Sequence, residues 1–136
     1  MAKEKIIPKN WKAMQKYAAG YKVSGGSLLV LSGKGAVGAD GAIVAKGDMA
    51  GQTRFVMETI QHMLESGGAT LNDVIKTTIY VKGVKDFFPQ VWDVYASYFE
   101  GDYPAATLVG VTELAYPDLL IEIEVMAFVP ETRKQK

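Results

Sequence analysis

The stretch "LLIEIEVMAF", residues 119–128, alternates along its length. Leu120, Glu122, Glu124, Met126 and Phe128 fall on one side of an extended chain, and Ile121, Ile123, Val125 and Ala127 on the other. Such period-two alternation, rich in β-branched residues, is the signature of a strand. The wholly apolar side predicts a face buried under helices. The opposite side sets two carboxylates in line among large apolar residues, which suits neither a solvated surface nor a dry core. Exposed apolar surface of that kind marks an interface. The pattern therefore predicts a sheet whose open face meets another subunit, and it raises the question whether Glu122 or Glu124 works as an acid or base.

Outward from this strand, the chain reads as β-β-α-β-α-β-β, an α+β arrangement with two helices on one face of the sheet. "YKVSGGSLLVLSG", 21–33, predicts two strands joined as a hairpin through Ser24, Gly25, Gly26 and Ser27. "GKGAVGADGAIVAKG", 33–47, is a glycine-rich excursion that turns at "ADGA"; it lacks the ending and spacing of a phosphate loop. Asp48 is placed to cap a helix reaching Ser66 and ended by Gly67 and Gly68, with Val56, Ile60, Met63 and Leu64 as its apolar stripe. "TLND" is a short capped turn before the strand "VIKTTIYVKG", whose Ile75, Thr77, Ile79 and Val81 share a side. Asp86 is read as the cap of a second helix that runs through Tyr98, with Pro89 in its first turn. A further strand is expected over about 106–111, before the final one.

At 136 residues, with 49% hydrophobic and 22% charged residues, the sequence reads as a single domain, 1–136, with an irregular Lys-rich arm at 1–16 and a charged tail at 130–136. The formal net charge is zero, which offers no field for nucleic acid or an anionic membrane. There is no Cys, so thiolate chemistry and disulfides are excluded. The sole histidine, His62, has no ligand-spaced partners and reads as a surface residue, so no metal site is expected. A cytoplasmic location is the default expectation, since no signal-like or membrane-length apolar run stands out. Of the 15 basic residues only Arg54 and Arg133 are arginine, the usual two-point clamp for a carboxylate.

The stretches "LSG" at 31–33, "DMAGQTRFVMETI" at 48–60, "DVIKTTIYVKGVKDF" at 73–87, "YPAATLVGV" at 103–111 and "LIEIEVMAF" at 120–128 together resemble the Rid family, the YjgF-like proteins whose founding members are enamine/imine deaminases. The resemblance runs in unbroken order over about residues 17 to 129. It implies a chorismate-mutase-like fold and a homotrimer with an inner barrel, whose small-molecule clefts lie between subunits. It also implies hydrolysis of a reactive imine or enamine, without metal or organic cofactor. Matched position by position, the water-activating glutamate corresponds to Glu122. The substrate contacts correspond to Tyr17, to Ser32 and Gly33, and to Trp92, which stands where an asparagine is often found, three residues before Tyr95.

One departure matters most. Where the deaminases carry "PAR[ST]", this chain reads "PAAT": the arginine position is Ala106, and Thr107 follows it. An Ala side chain has no donor and no charge, and losing a charged hydrogen bond costs on the order of 1.5–3 kcal/mol. Lys34, directly after Ser32 and Gly33, is the one basic residue beside a matched pocket motif and can supply a point charge. Trp11 and Met14, ahead of the matched region, either fold back as a lid or anchor the arm. The reading favours a hydrolase for a small nitrogen compound other than the standard 2-imino acids, with Glu122 activating water. The alternative is a non-catalytic trimer that binds a small molecule in the same clefts.

Overall fold

The last strand of the chain, residues 121–130, is the spine of the molecule, because it pairs on both of its sides. The computed structural model describes residues 2–12 and 16–133; Met14 and the last three residues of the tail therefore lie outside the described residues. In chain order the elements are β1 (Lys3–Lys5), β2 (Tyr21–Val23), β3 (Gly26–Val30), β4 (Lys34–Gly35), α1 (Met49–Ser66), β5 (Val74–Val81), α2 (Val84–Phe87), α3 (Gln90–Ser97), β6 (Ala105–Gly110) and β7 (Ile121–Pro130). The main sheet runs β3-β7-β5-β6, with β4 also on β7. β5 and β6 are parallel and the other pairs antiparallel. This is the expected α+β class.

Hydrophobic burial sets the two faces of the sheet. Ile121, Ile123, Val125 and Ala127 of β7, with Thr77, Ile79 and Val81 of β5, are buried against the helices. Each large aliphatic side chain so buried contributes roughly 1.5–3 kcal/mol. Asp48 caps α1 by accepting the Gly51 amide, and Gly67 ends the helix, as the sequence indicated. The buried stripe is Met49, Gln52, Thr53, Val56, Met57, Ile60 and Leu64. Met63 stays exposed, on the flank of the stripe it was expected to join.

Several expectations are corrected. β2 and β3 do not form a hairpin: β2 pairs with β1, and β3 with β7. The reason lies in long-range contacts, since the Tyr21 hydroxyl donates to the Tyr103 carbonyl at 2.8 Å while Leu29 stands opposite buried Ala127. The Lys-rich arm, read as irregular, thus contributes a strand. Asp86 caps nothing; it sits inside the short α2, and the helical stretch breaks at Phe88, whose backbone is extended ahead of Pro89. A residue before proline is disfavoured in the helical region, which is why one expected helix becomes two. An irregularity between Val74 and Lys76 lets Val74, rather than Ile75, join the buried side of β5. Arg133, assigned to a loose tail, donates to the buried Asp73 carboxylate at 2.6 Å. No described helix is long and apolar enough to cross a membrane.

Candidate active site

Glu122 and Glu124 project from the open face of β7, and their surroundings differ. Glu124 accepts a hydrogen bond from the Tyr80 hydroxyl at 2.6 Å. That contact, followed by burial, raises the Tyr80 pKa above its ordinary value, since the ionised phenol would face a carboxylate. Among the described residues no hydrogen bond or ion pair engages the Glu122 carboxylate. It lies instead against the backbone of Gly33, where an added β-carbon would collide with Oε2. The glycine lets the carboxylate rest directly on the backbone here; a larger residue at 33 would displace the flexible Glu122 side chain from this place. The exposed Ser32 precedes it.

The position of Glu122 is set from behind. Gln52, fully buried on α1, donates from Nε2 to the Asp118 carbonyl at 3.0 Å and accepts the Leu120 amide on Oε1 at 2.8 Å. One side chain thus satisfies two backbone groups of the 112–120 loop and anchors Leu120, the residue just ahead of β7 and two before Glu122. Sequence reasoning missed Gln52, although a polar residue in line with Met49, Val56 and Ile60 was the available signal.

The remaining matched residues are placed elsewhere. Lys34 stands opposite Ile123 in the β4–β7 register, while Gly35 stands opposite Glu122. Cross-strand partners share a face, so the register puts Lys34 on the side away from Glu122. Ala106 pairs with Thr77 on the helix-covered side of β6, and Thr107 pairs with Thr78 on the open side. With two strand spacings and three residues between them, Ala106 and Glu122 are about 14 Å apart and on opposite faces. Tyr17 lies at the β6 end of the sheet, because Ala18 bridges Ala105. Its ring packs edge-on to Trp11 at 5.8 Å, and the two line an apolar cavity of about 200 Å³ with Ile6 and Ile7.

Trp92 does not line a cleft within one chain. It is 4% exposed, packed among Phe87, Phe88 and Tyr95 in the helix layer, with the sheet between it and Glu122. Its indole Nε1 has no hydrogen-bond partner among the described residues. The physical reason is period: Trp92 falls on the inward stripe of α3 with Val91, Tyr95 and Ala96. Phe128, opposite Leu28 on the open side, is buried all the same, because its ring covers Gly26.

The matched residues therefore fall into two groups, the halves of a candidate site. Ser32, Gly33 and Glu122 occupy the β4–β7 side of the sheet; Tyr17, Ala106 and Thr107 occupy the β6 side. The first half alone presents a carboxylate that has no hydrogen-bond or ion-pair partner among the described residues.

Comparison with known proteins identifies the family and the fold. The Endoribonuclease L-PSP family model matches residues 8–129. A RutC family protein of Pyrococcus horikoshii is 41% identical over 106 residues, covering 78% of this chain and 82% of that one. The 3-aminoacrylate deaminase RutC of Acinetobacter baylyi is 44% identical over 87 residues, 64% of this chain and 68% of that one. Among solved structures, YyfB of the conserved Rid protein family from Yersinia pestis superposes with a TM-score of 0.86 at 28% identity, covering 95% of this chain and all of that one. With nearly the whole chain matched in sequence and in fold, the protein belongs to the Rid (YjgF) family.

Proposed function

We propose that the protein is a hydrolytic deaminase of small enamines or imines, with Glu122 as the base. The observation that carries this reading is the Glu122 carboxylate itself, seated on a glycine and without a partner among the described residues, two residues from a carboxylate that is tied to Tyr80. In the reaction an enamine first takes a proton at carbon to become the iminium ion. Glu122 removes a proton from water as the oxygen bonds to the iminium carbon, giving a neutral carbinolamine. That proton is returned to the nitrogen, which leaves as ammonia, and the hydroxyl gives up its proton to leave a carbonyl product, balancing the proton taken up at carbon. Ser32 and the backbone around Gly33 would orient the substrate.

The separation of the half-sites supports clefts shared between copies. About 14 Å and a sheet lie between Ala106 and Glu122 in one chain, whereas a neighbouring copy can bring its β6 edge to the Glu122 side. Leu28 and Val30, 53% and 70% exposed on the open face, are suited to such an interface. A homotrimer of this kind is part of the proposal, and so is the loss of the carboxylate clamp at Ala106. The nuclease reading suggested by the family's descriptor gains nothing from a chain of zero net charge.

The likeness to a 3-aminoacrylate deaminase makes 3-aminoacrylate the first substrate to try, beside 2-iminopropionate, each generated in situ with ammonia release followed. Acceleration of 3-aminoacrylate hydrolysis by the wild type, with 2-iminopropionate hydrolysis gained only by Ala106→Arg, is the expected result. No acceleration of either compound by either protein would move the assignment to the binding trimer.

A further inference from the structure

Glu122 has unequal neighbours on its two flanks. In β5 its cross-strand partner is Tyr80, whose ring shares the open face. In β4 its partner is Gly35, which has no side chain, and the segment leading into that strand brings Gly33 against the carboxylate. A flexible glutamate between an aromatic ring and two glycines finds its room on the glycine side, and there its Oε2 lies. The ring is tethered in turn. The Tyr80 hydroxyl reaches diagonally along β7 to Glu124, the next residue on that face, and donates to its Oε1 at 2.6 Å. Lys76, on the same face, gives its amine to the Thr107 hydroxyl at 2.8 Å, the Thr77 carbonyl at 3.1 Å and the Thr78 hydroxyl at 3.4 Å. That leaves Tyr80 as the hydrogen-bond partner of Glu124 among the described residues. The bond to Glu124 foremost, then burial, then the charges of Glu124 and Glu122 raise the Tyr80 pKa, so the phenol stays a donor.

We propose that Tyr80 and Glu124 form a brace that positions Glu122. Tyr80 is the wall that keeps the Glu122 carboxylate on Gly33, and Glu124 is the anchor that keeps the wall in place. This role rests on the reading of Glu122 as the base and extends it, giving the second carboxylate of β7 a task of holding instead of proton transfer. The brace is built within one chain, so it needs no open space on a face that a neighbouring copy covers. Placement matters to a base, since a shift of about 1 Å can cost on the order of 10²-fold in rate.

Kinetics of the assembled protein on 3-aminoacrylate test the brace. Tyr80→Ala, which removes the wall, should lower kcat by about tenfold or more while KM changes by less than about threefold. Tyr80→Phe and Glu124→Ala break the same hydrogen bond, so they should lose similar amounts, and the double variant no more than either. Glu124→Gln keeps an acceptor for the hydroxyl and should recover most of what Glu124→Ala loses. In a Glu122→Gln background none of these changes should lower the residual rate further, because each acts through Glu122. Multiplying losses in that background, or Tyr80→Ala turning over like the wild type, would overturn the proposal. A second readout needs no turnover: the nuclear Overhauser contact between the Gly33 α and Glu122 γ protons. It should be present in the wild type and lost in Tyr80→Ala. The same contact in both proteins overturns the brace, whereas an inactive wild type whose contact is lost in Tyr80→Ala overturns the deaminase reading alone.

Discussion

The two faces of the sheet are built on different rules. On the helix-covered face, polar groups are closed within the chain: Thr77 shares a hydrogen bond of 2.6 Å with the Tyr95 hydroxyl, and Gln52 satisfies both an amide and a carbonyl. The indole nitrogen of Trp92 is the exception there. On the open face, charges are held by neutral groups, as at Lys76 and Glu124, or by none among the described residues, as at Glu122. The first face specifies the fold, because an unmet polar group in a dry core is costly. The second carries charges that the fold does not need and that a substrate, ligand or neighbour can use.

This contrast can be broken or sharpened by substitution. Ile123→Ala, on the covered face, should cost about 2–5 kcal/mol in urea unfolding, as for a large-to-small change in a packed core. A cost near zero would mean that the helices do not seal that face. Gln52→Leu should come next, at about 2–3 kcal/mol, because the Asp118 carbonyl and the Leu120 amide would both lose their partner.

Tyr95→Phe should cost about 1 kcal/mol at neutral pH. Burial holds the Tyr95 hydroxyl pKa well above 10, and Tyr21 is pushed up to about 12, mainly by burial. Groups with raised folded-state pKa values stabilise the fold fully below the unfolded value near 10 and lose that contribution as pH rises through the folded one. Unfolding free energy should therefore fall from pH 10 upward, and less steeply in Tyr95→Phe; an identical slope would contradict the assignment. Smallest of all, Lys76→Met on the open face should change chain stability by no more than about 0.5 kcal/mol. A larger loss would show that its contacts with Thr107 and Thr78 hold the sheet together.

The same contrast explains what the sequence disclosed. β7 was legible because period-two alternation survives in both directions from Glu122, and α1 because Asp48 and Gly67 mark its ends. The match of Glu122 and Gly33 to family motifs anticipated two groups that the fold brings into contact. The pairing of β2 with β1 was not legible, because three charged residues, Lys3, Glu4 and Lys5, carry no strand signal by themselves. Nor was the break at Phe88: the helical spacing of Val84, Phe87 and Val91 continues across it, and only the proline argues otherwise. Trp92 was misplaced because a register match along the sequence does not report which side of a helix faces the core. Lys34 was favoured for its nearness along the chain, and the β4–β7 register turns it away. Lys76 was overlooked, although alternation with Thr77, Ile79 and Val81 already put it with Thr78 and Tyr80 on the open side.

The central claim is that the unpartnered carboxylate of β7 performs the chemistry. Ammonia release from 3-aminoacrylate by wild type and by Glu122→Gln, compared at equal chain concentration and with the same assembled mass, tests it most directly. The account predicts a fall in kcat of about 10²–10⁴-fold, the usual contribution of a positioned base. Turnover equal to wild type in Glu122→Gln would contradict it.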